Sequence, residues 1–480
     1  MRTVNLFCQN TIGEDTRMIR KMLLASTAFA LVYLTACSGN GGSGNAGEKS
    51  DKPANASPAA TGKDEKVSIT YWVDPRFQRI KGMEKETENF GDFEKIQAKK
   101  FMEKYPNVKI DVQSVTWDDL PKKIPAAVAA GTPPDILRDY LGRTAQYAHQ
   151  GVLENLETLL PKEELDDYIS SYLQLYTIDG HLHALPSYAW ASGLVVNKSI
   201  WKSKGKESML PTKDNPYWTI EQFDQAMRAV AEKDKVYPFG IQFAVPQGDH
   251  GLYSYFWAFG AKLFKDGDYS KVALNSPEGL KALEYLVKMN DDGLLQPSAV
   301  TAKAADIDLL FWQSQLGAQG DTLGQWSKLD NAKTEGKVKG NVELAMVQLP
   351  SAPGVKNGVP VGPTGLAVFK QKDETKKKWI GEFLKFLNST EYQKTYAINA
   401  GQFPVKKSAG SPLQDDPNYG VLQKIIQERG VEDLGLTVPK YAEIRVLLQP
   451  EIQAALLKAK TPAQALADYE KAANKILSGK

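Results

Sequence analysis

The stretch DGHLHALPSYAWASGLVVNKSIW, residues 179–201, decides how the rest of the chain is organised. Residues 180–185 alternate as a short strand, and Pro186 interrupts the run. Tyr188 and Trp190 follow among small residues, before a second apolar strand at 194–196. This pattern reads as a chain leaving one domain and entering another, with aromatics at the crossing and therefore a candidate ligand cleft beside it. The alternative is an ordinary strand, turn and strand with two core aromatics, because aromatics usually pack rather than bind.

Working outward, the 480 residues predict two or three domains. Lys and Arg (59) nearly cancel Asp and Glu (57), so no long-range field favours nucleic acid or an anionic membrane surface. The only cysteines are Cys8 and Cys37, both before the expected folded part, which excludes a disulfide between domains and a thiolate zinc site there. His181 and His183 share one face of a strand, but no third ligand lies close in sequence, so no metal and no cofactor is expected.

At the N-terminal end, Arg20 and Lys21 precede an apolar run at 22–34, the n-region and h-region of a secretory signal. Residues 1–17 fit neither region, which makes Met18 a second candidate start. The following Leu34-Thr35-Ala36-Cys37 resembles the bacterial lipobox, and the resemblance implies that Cys37 becomes a lipidated N-terminus. Residues 38–66 are rich in Gly, Ser, Asn, Ala and Pro with little to bury, so they read as a tether. A flexible chain of that length spans ~30 Å root-mean-square.

The folded part opens with a strand at 67–73, a helix at about 91–105 and a strand at 108–115, a βαβ unit of a parallel sheet. Open parallel sheets bind ligands at the carboxyl ends of their strands, which places Trp72, Asp74, Trp117 and Asp118 near one edge. A helix at 120–130 and a third strand ending at Leu137 lead to Asp139, Tyr140 and Arg143. Thr219 caps a helix with Gln222 as its capping-box partner, and 249–259 is an aromatic-rich helix holding Trp257. The Gly/Pro-rich segment 351–365 and the run 401–407 read as second and third crossings, and Asp321 and Trp326 precede both. Thr461-Pro462 opens a last amphipathic helix.

In this order the segments resemble the bacterial extracellular solute-binding proteins of ABC sugar importers, the family that includes the maltodextrin-binding protein. The carriers are AAGTPPDI at 129–136, DGHLHALP at 179–186 with VVNK at 195–198, WTIEQF at 218–223, NSPEG at 275–279, EFLKFL at 382–387 and GQFPV at 401–405. Val196 departs from the family pattern, which usually has a tyrosine before the Asn-Lys pair.

The resemblance implies an α/β fold of two lobes closing on a ligand by hinge motion. The lobes would be 67–187 with 361–404, and 188–360 with 405–480, following the signal and lipobox (1–37) and the tether (38–66). It implies cleft roles for Trp190, Asp139 and Arg143, and an aromatic platform on the 321–326 loop. The expected partners are a carbohydrate, ABC permease subunits and a membrane-held lipid anchor on the extracytoplasmic face, with the protein monomeric. Independently, sugars need aromatic plates beside groups able to exchange several hydrogen bonds. Trp72, Trp117, Tyr188, Trp190, Trp257 and Trp326, with Asp74, Asp118, Asp139, Arg143 and Asp321, supply that mixture. Two other classes are open to the same residues. A surface glycan sensor or adhesin would use the same fold, and a secreted glycosidase would use a carboxylate pair such as Asp74 and Asp321. No nucleophile elbow, metal motif or phosphate loop supports catalysis.

Overall fold

The first strands form as their alternation dictates. In this computed structural model, which describes residues 65–479 except 118, 244–248, 266 and 298, β1 (Val67–Val73) buries Val67, Ile69, Tyr71 and Val73 on one face. Cys37, the signal, the tether to residue 64 and Asp118 lie outside the described residues. β1 runs parallel to β2 (Val108–Ser114) and β3 (Ile136–Tyr140), with the helices Asp92–Lys104 and Leu120–Ala129 as the crossovers. The expected βαβ unit is therefore present, and the strand ends carrying Asp74, Trp117 and Tyr140 share one edge.

A small hairpin, β4 (Thr177–Ile178) and β5 (His181–Leu182), precedes β6 (Ala184–Asn197). The sequence reading breaks this region at Pro186, but β6 is one strand of 14 residues. Proline removes a ladder donor and is tolerated where pairing is interrupted. Here Pro186 sits opposite Gly365 at a register shift that leaves Ser187 without a direct cross-strand partner. Remote side chains satisfy the interruption. Asn388 donates to the Pro186 carbonyl (3.0 Å), Ser187 Oγ donates to Asn388 Oδ1 (3.0 Å), and Gln393 donates to the Ser187 carbonyl (2.5 Å).

The second half holds β7 (Tyr237–Gly240), the hairpin β8 (Phe264–Lys265) with β9 (Asp268–Val272), β10 (Leu316–Thr322) and β11 (Leu344–Val347). β12 (Val359–Val368) then returns to the first half, and β13 (Val431–Glu432) pairs with its start. The sheet order is β2-β1-β3-β12-β6-β10-β7. β6 changes partners along its length. Its residues 184–191 pair antiparallel with β12, whereas 192–196 pair with β10 and 194–197 with β11. One strand thus serves both halves of the sheet, and the switch falls at Ala191-Ser192, inside the stretch expected to cross between lobes.

Past residue 408 the C-terminal segment ties the halves together. Residues 405–408 stay with the first lobe: Val405 accepts from Ile169 N, Lys406 bridges Glu164 (2.6 Å) and Asp167 (3.4 Å), and Ser408 Oγ donates to Asp167. Farther on, Arg445 lies over the Tyr140 ring at 4.7 Å, and the Thr437 carbonyl is 3.1 Å from His149 Nε2. The last helix, Pro462–Leu477, buries Ala465, Leu466, Tyr469 and Ala473 after a Thr461 N-cap and a first-turn proline, as its sequence predicts.

Candidate functional site

Between the halves lies a cleft of about 550 Å³, within the range of small-molecule sites. Its first wall is built from residues after β1 and β2 (Pro75, Arg76, Thr116, Trp117) and from Tyr140 at the end of β3. β6 supplies the floor where it changes partners, through Trp190 and Ser192–Leu194. The opposite wall comes from the ends of β7 and β10, including Gln319 and Asp321, and from the first turn of the helix Ala304–Trp312. Arg445 reaches the cleft from the C-terminal segment, and Phe90, 45% exposed, stands at the rim. The parallel strands of the first lobe therefore offer their carboxyl ends to the cleft.

Of the residues expected at a site, the structure brings Trp117, Trp190 and Asp321 into the lining. Trp190 is 7% exposed, and its ring lies across Gly362, its cross-strand neighbour on β12. Asp321 accepts from Thr322 N (2.7 Å) and from Lys328 Nζ (2.9 Å). Lys328 also reaches Asp308 (3.4 Å), which holds the amides of Gln319 (3.0 Å) and Gln325 (2.9 Å), so one carboxylate sets the spacing of this wall.

The other described candidates do not line the cleft. Tyr188 and Asp74 are buried directly behind it. Asp74 Oδ1 accepts from Arg138 Nε at 2.6 Å and Oδ2 from the Tyr188 hydroxyl at 3.1 Å. Arg138 Nη2 donates to Glu94 at 2.6 Å. Burial alone would raise the Asp74 carboxyl, but Arg138 and Arg76 outweigh it and hold the group below the usual carboxylate range. For Glu94 burial wins over Arg138, and its carboxyl sits above that range. Asp139 near the end of β3 and Arg143 in the first turn of the helix Leu141–His149 form a buried two-point ion pair (2.5 and 2.6 Å). Arg143 in turn stacks over Tyr140 at 4.4 Å, so the pair braces a lining residue. Trp257 is core, 1% exposed; Trp326 packs half-buried on the second-lobe cluster, and Trp72 packs half-buried under Lys123 (4.5 Å to its ring).

Sequence reasoning missed Arg76, Phe90, Gln319 and Arg445. Arg76 stands two residues after Asp74 at the same strand end and was within reach of the strand-end rule. Arg445 was not, because nothing local says that a C-terminal helix turns back to the cleft.

A family model described as bacterial extracellular solute-binding protein matches residues 84–394. The chain belongs to that family. This solute-binding protein is 26% identical over 390 residues to an uncharacterized ABC transporter extracellular-binding protein of Pyrococcus horikoshii, covering 78% of each chain. It is 25% identical over 316 residues to a putative binding protein of Brucella abortus, covering 66% of this chain and 72% of the relative. Among solved structures, a solute-binding protein of Thermotoga lettingae bound with alpha-D-tagatose aligns with TM-score 0.71 at 23% identity, over 86% of this chain and all of that one. Maltose-bound MalE3 of T. maritima aligns with TM-score 0.70 at 22% identity and the same coverage. At these identities the likeness is one of fold, the two-lobed α/β architecture of periplasmic sugar-binding proteins. Among the described residues no helix is long and apolar enough to cross a membrane.

Proposed function

We propose that this protein is the lipid-anchored binding component of an ABC importer. It captures a carbohydrate, an oligosaccharide in this reading, by closing its lobes and presents the closed form to a membrane permease. The observation that carries the reading is the cleft itself, whose walls come from opposite ends of a sheet that β6 joins and whose lining includes two tryptophans, Trp117 and Trp190. A shift of one sheet half against the other about residues 191–193 of β6 opens or closes that space without unfolding either half. Sugar-bound neighbours of the same fold support the ligand class.

The binding reading is favoured over the glycosidase reading by the placement of Asp74. A hydrolase needs two carboxyl groups that both reach the scissile bond. Asp74 is 1% exposed and already engaged by Arg138, Arg76 and Tyr188, so it does not face Asp321 across the cleft.

The direct test is a thermal-shift screen of oligosaccharides, since a ligand that binds only the folded state raises its melting temperature. Bound sugar that is recovered intact supports the importer role; release of shorter sugars would sink it. With the ligand so found, Trp190→Ala weakens calorimetric affinity by at least ~1 kcal/mol, the worth of an aromatic stacking contact beyond its burial. Unchanged affinity would remove Trp190 from the site. The anchor is tested separately. Cys37→Ala is expected to move the protein from the membrane fraction to the soluble one, because two acyl chains hold far more firmly than a single weak contact. Unaltered membrane retention would refute the anchor while leaving the binding role intact.

A further inference from the structure

The cleft's charges are unevenly disposed. Its described charged lining residues are Arg76, Lys303, Arg445 and Asp321. The one carboxylate already accepts at both oxygens, from Thr322 N and Lys328 Nζ. Lys303 and Arg445 also line the cleft and have partners of their own.

Arg76 is the most deliberately built of these. Its guanidinium lies 5.1 Å from the centre of the Trp117 ring and 6.0 Å from that of Tyr188. Its Nε is tied to Asp74 at 3.3 Å. Stacking and the ties to Asp74 and to the Tyr188 hydroxyl fix the plane of the fork, while the side chain remains 24% exposed on the cleft wall. Asp74 does not neutralise it alone, because the same carboxylate binds Arg138 at 2.6 Å, and the next carboxylate, Glu94, lies behind Arg138. A planar, oriented fork in a partly dry cleft is the geometry that receives an oxyanion at two points.

We propose that the solute carries an acidic group, a carboxylate or phosphate on a polyhydroxylated body, and that Arg76 is the residue that reads it. This rests on the carbohydrate reading of the cleft and narrows it to acidic sugars. A neutral sugar offers only hydroxyl acceptors to the same fork.

Titration calorimetry of the intact protein with three matched probes decides the point: uronic-acid oligosaccharides, their neutral counterparts, and sugar phosphates. The expected result is that one acidic class binds at least about tenfold tighter than the neutral one, with the gap narrowing as salt rises. The tighter of the two acidic arms identifies the oxyanion. Arg76→Gln is expected to erase that gap by costing the acidic arm at least about tenfold more affinity than the neutral one, and Arg76→Lys, which keeps charge without the fork, to fall between. Thermal melts of both variants confirm folding. Neutral sugars binding as tightly as acidic ones, or Arg76→Gln weakening both alike, would overturn the acidic reading and leave the carbohydrate role standing. Failure of all three probes to bind would overturn both.

Discussion

Replacing Arg138 by alanine is expected to cost about 3–5 kcal/mol of folding stability, the range for removing one partner of a buried ion pair. Arg138 is fully buried and serves two carboxylates at once, Asp74 and Glu94, each at 2.6 Å. Without it, two acids remain enclosed with only Arg76, Tyr188 and a raised Glu94 pKa to compensate. The measurement is the urea-unfolding midpoint at constant slope. A loss below about 1 kcal/mol would mean that the network is not a coupled unit. A second readout follows from its position. Asp74 orients Arg76 from behind, so the variant also weakens ligand binding although Arg138 itself lies outside the cleft lining. Adding Asp74→Asn and Glu94→Gln to an Arg138→Met background is expected to recover part of the stability, since whole buried ionic groups are often replaceable when no charge is stranded.

Gly362→Ala is the second large effect, expected to cost about 1–3 kcal/mol and to weaken binding at least about tenfold. The reason is steric. Gly362 pairs with Trp190 across β12 and β6, and a methyl group there would run into the indole at its Cε2–Cζ2 edge. The ring then moves, and it is one of the cleft's aromatic plates. The double variant Gly362→Ala with Trp190→Ala supplies the check. If the collision is the cause, stability recovers relative to the single glycine variant and binding falls no further than in Trp190→Ala alone. Strict additivity of the two losses would contradict this account.

The first βαβ unit was legible because its signal is local: alternation in residues 67–73 and 108–115 depends on neighbours only. The continuity of β6 through Pro186 was not, since it depends on Asn388 and Gln393, some two hundred residues away. The site divided along the same line. Trp117 falls where a strand end meets the cleft, a position that sequence spacing can locate, whereas Asp321 and Trp326, which the resemblance put on one loop, lie in β10 and in the helix Gly324–Thr334. Asp74, Asp139, Arg143, Tyr188 and Trp257 have the same chemistry as lining residues, yet the helices and loops packed over them turn that chemistry inward. The sequence reports which groups are present at an edge, and only tertiary layering decides whether an ion pair faces a solute or another side chain.

The place of β12 in the sheet bears on the order in which the molecule can be made. β3 lies between β1 and β12, and Ile136 finds its antiparallel partner only in Val368. A ribosome therefore delivers β1, β2 and β3 long before the strand that closes their sheet, with β6 to β11 emerging in between. During that interval the inner edge of β3 stays open, and long-range closure of this kind is slow. A nascent chain stopped before residue 359 should remain protease-sensitive in its first half even though that half's own helices and strands are already synthesised. The return strand thus acts as a timer, delaying commitment to the native state until nearly three quarters of the polypeptide has appeared.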